Sequence, residues 1–197
     1  QRKVRVAASN RVKGLWFLAY SPIGDVIDVS PIKAFVPLGL REICLGSPRM
    51  KDVSVLEHFP DLEVLYVACP FTKGPDFSIF KNLRVLKIDW RTKAKSILQL
   101  EALEFVQIAR YPFDSLEEIS HMKTIKRFHI HGGKLTSLSG IEKMTSLETL
   151  DIFNCRHLES LKGIEKLPNL KKVIITRCKK ITRDTPHSNL VTFNSFY

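Results

Sequence analysis

No stretch of this chain approaches the run of about 18 apolar residues that a membrane-spanning helix needs. Cysteine is scarce: Cys44, Cys69, Cys155 and Cys178 are the full complement. None forms a CxxC pair and no Cys/His set has zinc spacing, so a structural zinc is not expected. Thiols this far apart read as four reduced cysteines, at least two of them packed as small apolar side chains. That usage points to a cytoplasmic protein, although the first residue, Gln1, reads as the start of a processed or trimmed piece. GxSxG, P-loop and HExxH motifs are all missing, which excludes the best-marked routes to acyl transfer, nucleotide hydrolysis and zinc peptidase chemistry. The Gly132-Gly133 pair marks a turn and not a phosphate cradle. Carboxylates are scattered, without a pair forced together. No catalytic residue, no metal and no cofactor is expected.

Acid is also short: 20 Asp and Glu stand against 31 Lys and Arg, for a formal net charge of +11. The imbalance is local. Residues 1–13 hold five basic groups and no acid, and residues 121–184 hold fourteen basic groups against six acidic ones. Residues 14–120 sum to −2. Such an end suits an acidic partner, nucleic acid or an anionic surface. A solvated, solubilising surface accounts for it equally well.

What the sequence does have is a repeat. Residues 135–147 (LTSLSGIEKMTSL) and 158–170 (LESLKGIEKLPNL) agree at eight of thirteen positions with an offset of 23. Each runs into a second shared block, LETLDIFNC at 147–155 and LKKVIITRC at 170–178. Both blocks carry apolar residues at positions 1, 4 and 6 and cysteine at 9. The 1-4-6 spacing recurs upstream at Leu15, Leu18, Tyr20; Leu40, Ile43, Leu45; Leu62, Leu65, Val67; Leu83, Leu86, Ile88; Leu103, Val106, Ile108; and Ile125, Phe128, Ile130. A degenerate copy starts at Leu190 with Phe193.

Positions 4 and 6 alternate with polar residues, as a strand with one buried face requires. One unit of this length cannot bury its own apolar face; stacked units share one core and pair their strands in parallel. Between strands the apolar residues recur at every third position, as in Val53, Leu56, Phe59, Leu62 and in Leu138, Ile141, Met144, Leu147. That spacing suits a 3₁₀ or tight irregular turn better than an α-helix.

The L-x-x-L-x-L pattern with its period of roughly 22 residues resembles the leucine-rich-repeat family over nearly the whole chain, from about residue 14 to 193. The resemblance implies an α/β-class solenoid with a curved parallel sheet on its concave face and short 3₁₀ or irregular convex segments. It divides the chain into a cap or extension at 1–14, a repeat domain of eight to nine repeats at 15–193, and a tail at 194–197. Asn or Cys at position 9 appears only as Cys155 and Cys178, which leaves the geometry of the N-terminal two-thirds open.

In that family the outward side chains at positions 3, 5 and 7 form a surface that binds a protein. Carried over by phase, the first repeat contributes Phe17, Ala19 and Ser21. Later repeats contribute Tyr66, Lys87, Phe105, Arg127, His129, His131, Asp151, Phe153 and Lys172, and position 8 adds Trp90, Arg110 and Arg177 at the rim. Aromatics and arginine are the side chains most enriched at binding hot spots. Cross-strand packing on a solvated sheet also places aromatics outward. His129 and His131 flank Ile130 and share a face, a geometry that could hold a metal with Asp151 or sense pH; a solvated histidine pair is the simpler reading.

Two functions follow. The first is a monomeric protein-recognition module with a protein partner, an acidic one by the charge of the chain, acting as a stand-alone inhibitor, immunity or effector protein. The second is nucleic-acid binding through Lys126, Arg127, Lys171, Lys172, Arg177, Lys179, Lys180 and Arg183. An enzyme is the least supported reading.

Overall fold

The computed structural model describes residues 14–19, 23–181 and 188–194. The chain falls into two compact units, Gln1–Leu100 and Glu101–Tyr197. The expected extension, save Gly14, lies outside the described residues, as do Tyr20, Ser21, Arg183 and the last three residues.

In the first unit four strands, β1 (Gly14–Leu18), β2 (Glu42–Gly46), β3 (Val64–Ala68) and β4 (Val85–Asp89), run parallel in chain order. Leu15, Ile43, Leu65 and Leu86 pair in register and point inward, all but fully buried. Phe71, Phe77 and Phe80 fill the space behind them, with ring centroids 6.0–6.1 Å apart. In the second unit β5 (Phe105–Tyr111), β6 (Arg127–Gly133), β7 (Thr149–Phe153), β8 (Lys172–Thr176) and β9 (Val191–Asn194) are likewise parallel. Both units thus have the strand-and-turn build of a leucine-rich-repeat solenoid.

Every helical segment among the described residues is 3₁₀, and the hydrogen bonds show why the apolar spacing is three. Leu56 donates to the carbonyl of Val53, Phe59 to Leu56 and Leu62 to Phe59. Met122 to Ile119, Ile141 to Leu138, Met144 to Ile141 and Leu147 to Met144 repeat the pattern. Each buried side chain therefore sits one i→i+3 bond after the last, and the eclipsed side chains of this helix type form one inward stripe. In the first unit three of the four segments start on an Asp-x-Ser device. Asp52 Oδ1 accepts from the backbone and hydroxyl of Ser54, and Asp76 does the same for Ser78. These side chains satisfy donors that a helix start leaves unpaired.

Position 2 carries charges of alternating sign: Arg41, Glu63, Arg84, Glu104, Lys126, Glu148 and Lys171. Within the units these meet as Arg41–Glu63 at 3.8 Å, Lys126–Glu104 at 2.8 Å and Lys171–Glu148 at 2.8 Å. The arrangement favours the observed register, since a slip would separate the paired charges.

The phase differs from the expected one at both ends. Leu15 pairs with Ile43 and Phe17 with Leu45, so they hold positions 4 and 6, while Trp16 and Leu18 hold the outward positions 5 and 7. Four consecutive apolar residues at 15–18 leave the alternation ambiguous. The nine-residue 3₁₀ segment Ser30–Leu38 lengthens the first repeat beyond the spacing of the others. At the far end Phe193 pairs with Ile175 and Val191 with Val173, so Phe193 takes position 6 and Leu190 precedes the strand. Lack of Asn or Cys at position 9 leaves the strands of the first unit regular at five residues each.

Candidate functional site

Strand pleating sends alternate side chains to opposite faces, and register then lines up the outward residues in rows. In the second unit one row runs Phe105, Arg127, Thr149, Lys172 and the next Gln107, His129, Asp151, Ile174. The third is Ala109, His131, Phe153, Thr176.

These side chains touch. The Arg127 guanidinium lies 5.2 Å from the centre of the Phe105 ring, and the His129 ring meets that ring edge-on at 4.9 Å. His129 Nδ1 is 4.0 Å from Asp151 Oδ2. One row over, the His131 ring is 5.5 Å from Phe153, and the Arg177 guanidinium lies 5.6 Å from the Phe153 ring centre. Phe105 is roofed by Arg127 and His129 to 9% exposure, so it supports the cations and presents little surface of its own. Arg110, Arg127, Lys172 and Arg177 are exposed, and His129, His131, Asp151 and Phe153 are half-buried.

The outward face of the first unit is apolar. Trp16, Cys44, Tyr66 and Lys87 form its middle row. The Trp16 and Tyr66 rings approach edge-to-face at 6.4 Å across Cys44, and Lys87 Nζ sits 4.6 Å above the Tyr66 ring. Trp16 Nε1 donates to Glu42 Oε1 at 2.9 Å, and the indole remains 49% exposed. Trp90, at position 8 of its repeat, is half-buried. The phase expected for the first repeat hides Trp16; the Trp-x-Leu alternation within Gly14–Leu18 is the signal that would have found it. Phe17 faces inward instead, where with Leu15, Val26, Ile32 and Phe35 it lines a cavity of about 360 Å³.

Three of the four thiols are held firmly protonated; Cys178 is the exception, lowered first by its hydrogen bond with Cys155. Burial, with help from Glu42, pushes the Cys44 thiol up to about 11, and burial pushes Cys69 up to about 12. Cys155, at position 9, is raised first by its hydrogen bond with Cys178 and then by burial. A thiol held in this range carries almost no thiolate at neutral pH. Among the described residues no three His, Cys, Asp or Glu converge as a metal site, and no helix is long and apolar enough to cross a membrane.

Position 8 of the second unit is a backbone special. Arg110 (φ 58°), Gly132 (φ 64°), Asn154 (φ 55°) and Arg177 (φ 56°) are all left-handed. This turn swings position 9 into the core, where Tyr111, Cys155 and Cys178 are buried.

The family described as R13L1/DRL21 LRRs matches residues 80–178, half of the chain. No curated protein matches it by sequence. Internalin C2 (inlC2) of Listeria monocytogenes shares the fold, with a TM-score of 0.63 and 18% identity over 80% of this chain and 67% of that one. An internalin (inlF) of the same organism gives 0.58 and 16% over 87% of this chain and 57% of that one. The chain therefore spans about two thirds of the first and little more than half of the second. At such identities the likeness is one of fold. With its strands, 3₁₀ turns and repeat phase in place across the matched stretch, the chain belongs to the R13L1/DRL21 leucine-rich-repeat family.

Proposed function

We propose that this chain is a protein-recognition module that binds an acidic partner on the outward strand faces and performs no chemistry of its own. One observation carries the reading: on the second unit the Arg127 and Arg177 guanidinium groups lie over the Phe105 and Phe153 rings, with Lys172, His129 and His131 in the adjoining rows and Asp151 the one carboxylate among the row residues. Cations held by aromatic faces are ordered before a partner arrives, which reduces the side-chain entropy lost on binding. Tyr66, Lys87 and Trp90, together with Trp16, offer an apolar patch on the first unit, and Phe105 and Phe153 are the platforms beneath the charges. The family's fold supports a protein partner in general, and the charge of this face supports an acidic one. A monomer in the cytoplasm fits four buried free thiols.

The test is capture of a partner from source extract, read by mass spectrometry, with wild type, R127E/K172E and W16A/Y66A, each checked for an unchanged melting profile. Loss of the same protein by the charge-reversed variant supports the reading. Unchanged capture by both variants defeats it. The competing reading, nucleic-acid binding through Lys126, Lys171, Lys179 and Lys180 beside Arg127 and Arg177, predicts instead oligonucleotide affinity that falls steeply with salt.

A further inference from the structure

The left-handed turn at position 8 is met in two ways. Gly132 and Asn154 suit it: glycine has no Cβ to clash, and asparagine is several-fold enriched in this region. The repeats on either side use arginine, Arg110 at φ 58° and Arg177 at φ 56°, and both side chains are exposed. Arginine has no such advantage there, since its Cβ crowds the following carbonyl. Because glycine and asparagine make the same turn in the two repeats between, the turn does not require a guanidinium. Retained backbone strain of this kind points toward function.

We propose that Arg110 and Arg177 are a two-point clamp for carboxylates on an acidic segment of the protein partner, which runs across the strands along this rim. The proposal rests on the reading of the strand face as the docking surface. Three strand spacings separate the two residues, about 14 Å. An extended peptide rises about 3.4 Å per residue, so its two carboxylates stand four residues apart. The residue midway lies between Gly132 and Asn154, beside His131 and Phe153, and is apolar or aromatic. Guanidinium forks match carboxylates bidentately. A nucleic-acid strand fits less well: the phosphate between those at the two arginines would face Gly132 and Asn154, which offer it no cation.

The experiment uses the whole chain and a fluorescein-labelled Gly/Ser-flanked peptide with two glutamates four residues apart and phenylalanine between them. A second peptide sets the glutamates two apart, and a single-stranded oligonucleotide of equal charge is the third probe. Wild type should prefer the wider spacing. R110N and R177N should each weaken that peptide about tenfold, as loss of a charged hydrogen bond does, and the double variant by roughly the product. Their melting temperatures should stay level or rise by roughly 2–4 °C, which a merely structural arginine would not produce. Lower melting temperatures, affinities untouched by asparagine, no spacing preference, no peptide binding by wild type, or tighter oligonucleotide binding each overturn the clamp. Natural-partner capture lost in R127E/K172E but kept in R110N/R177N removes the clamp and leaves the strand face. Capture kept in both removes the strand face as well.

Discussion

Replacing Gly133 by alanine tests how tightly the second unit is stacked. Gly133 ends β6 at φ 113°, and a Cβ there would lie 2.1 Å from the Tyr111 carbonyl oxygen and 2.5 Å from its nitrogen. That backbone cannot yield easily. Tyr111 is fully buried, its hydroxyl donates to the Ser115 carbonyl at 2.8 Å, and its own carbonyl accepts from Lys134 N at 2.9 Å. Gly132 next door is the internal control: it has φ 64°, and nothing lies closer to its Cβ position than Asn154 O at 3.8 Å. Alanine at 132 meets only the left-handed backbone penalty, about 1–2 kcal/mol. Alanine at 133 meets that penalty and a backbone collision, adding about 1–3 kcal/mol or more for overpacking. At roughly 2–4 °C per kcal/mol for a chain of this size, G132A should lower the melting temperature by a few degrees and G133A by several more. Thermal melts followed by far-UV circular dichroism, with urea titrations to give free energies, measure both. Equal losses for the two variants would refute the close stacking of Gly133 on Tyr111.

Trp16 and Tyr66 meet above Cys44, which is 7% exposed with a thiol raised to about 11. W16A should therefore speed its reaction with an aromatic disulfide reagent at pH 8 by about tenfold or more, since access and thiolate fraction both limit that rate; an unchanged rate would show that the indole does not cover the sulfur. The Glu148 carboxyl is held below its ordinary 4.5, first by the hydrogen bond from Lys171 and then by that charge and those of Lys126 and Arg127. The unfolded chain takes up this proton before the folded one does, so the contribution is present above the ordinary value and lost as pH falls through the folded one. Melts between roughly pH 6 and 3 should fall less steeply for E148Q than for wild type, and parallel curves would count against the ion pair.

The middle of the fold was legible because each central repeat is packed by neighbours on both sides. Leu62, Leu65, Val67 and Leu147, Leu150, Ile152 can satisfy two adjoining layers only in one phase, and the sequence shows that phase plainly. A terminal strand has one neighbour. At β1 the run Leu15, Trp16, Phe17, Leu18 offers two apolar alternations, and the three-residue error that follows turns Trp16 from an outward aromatic into an unnoticed loop residue. The same reason misplaces Phe193. Burial of Phe105 was hidden for a different cause: period-two reasoning assigns a face but does not see that Arg127 and His129, on the adjoining strand, fold over the ring. The charge alternation at position 2 needed no structure. It becomes readable once the repeats are aligned on their apolar positions.

The two units leave their strands by different turns, and this decides where charge can be displayed. In the first unit Ser47 and Cys69, at position 8, are buried and Ala19 and Trp90 are half-buried, so the chain turns most of that row toward the core. In the second unit the left-handed residue at position 8 lets position 9 enter the core instead, as Tyr111, Cys155 and Cys178 do. The position-8 side chain is thereby released outward, leaving Arg110 and Arg177 exposed and Asn154 half-buried. Arg110, Asn154 and Arg177 occupy that added row. An apolar outward face on the first unit and a cationic one on the second are therefore not a matter of composition alone. The backbone of the second unit has an additional outward position to offer, and arginine takes two of its four places despite the strain.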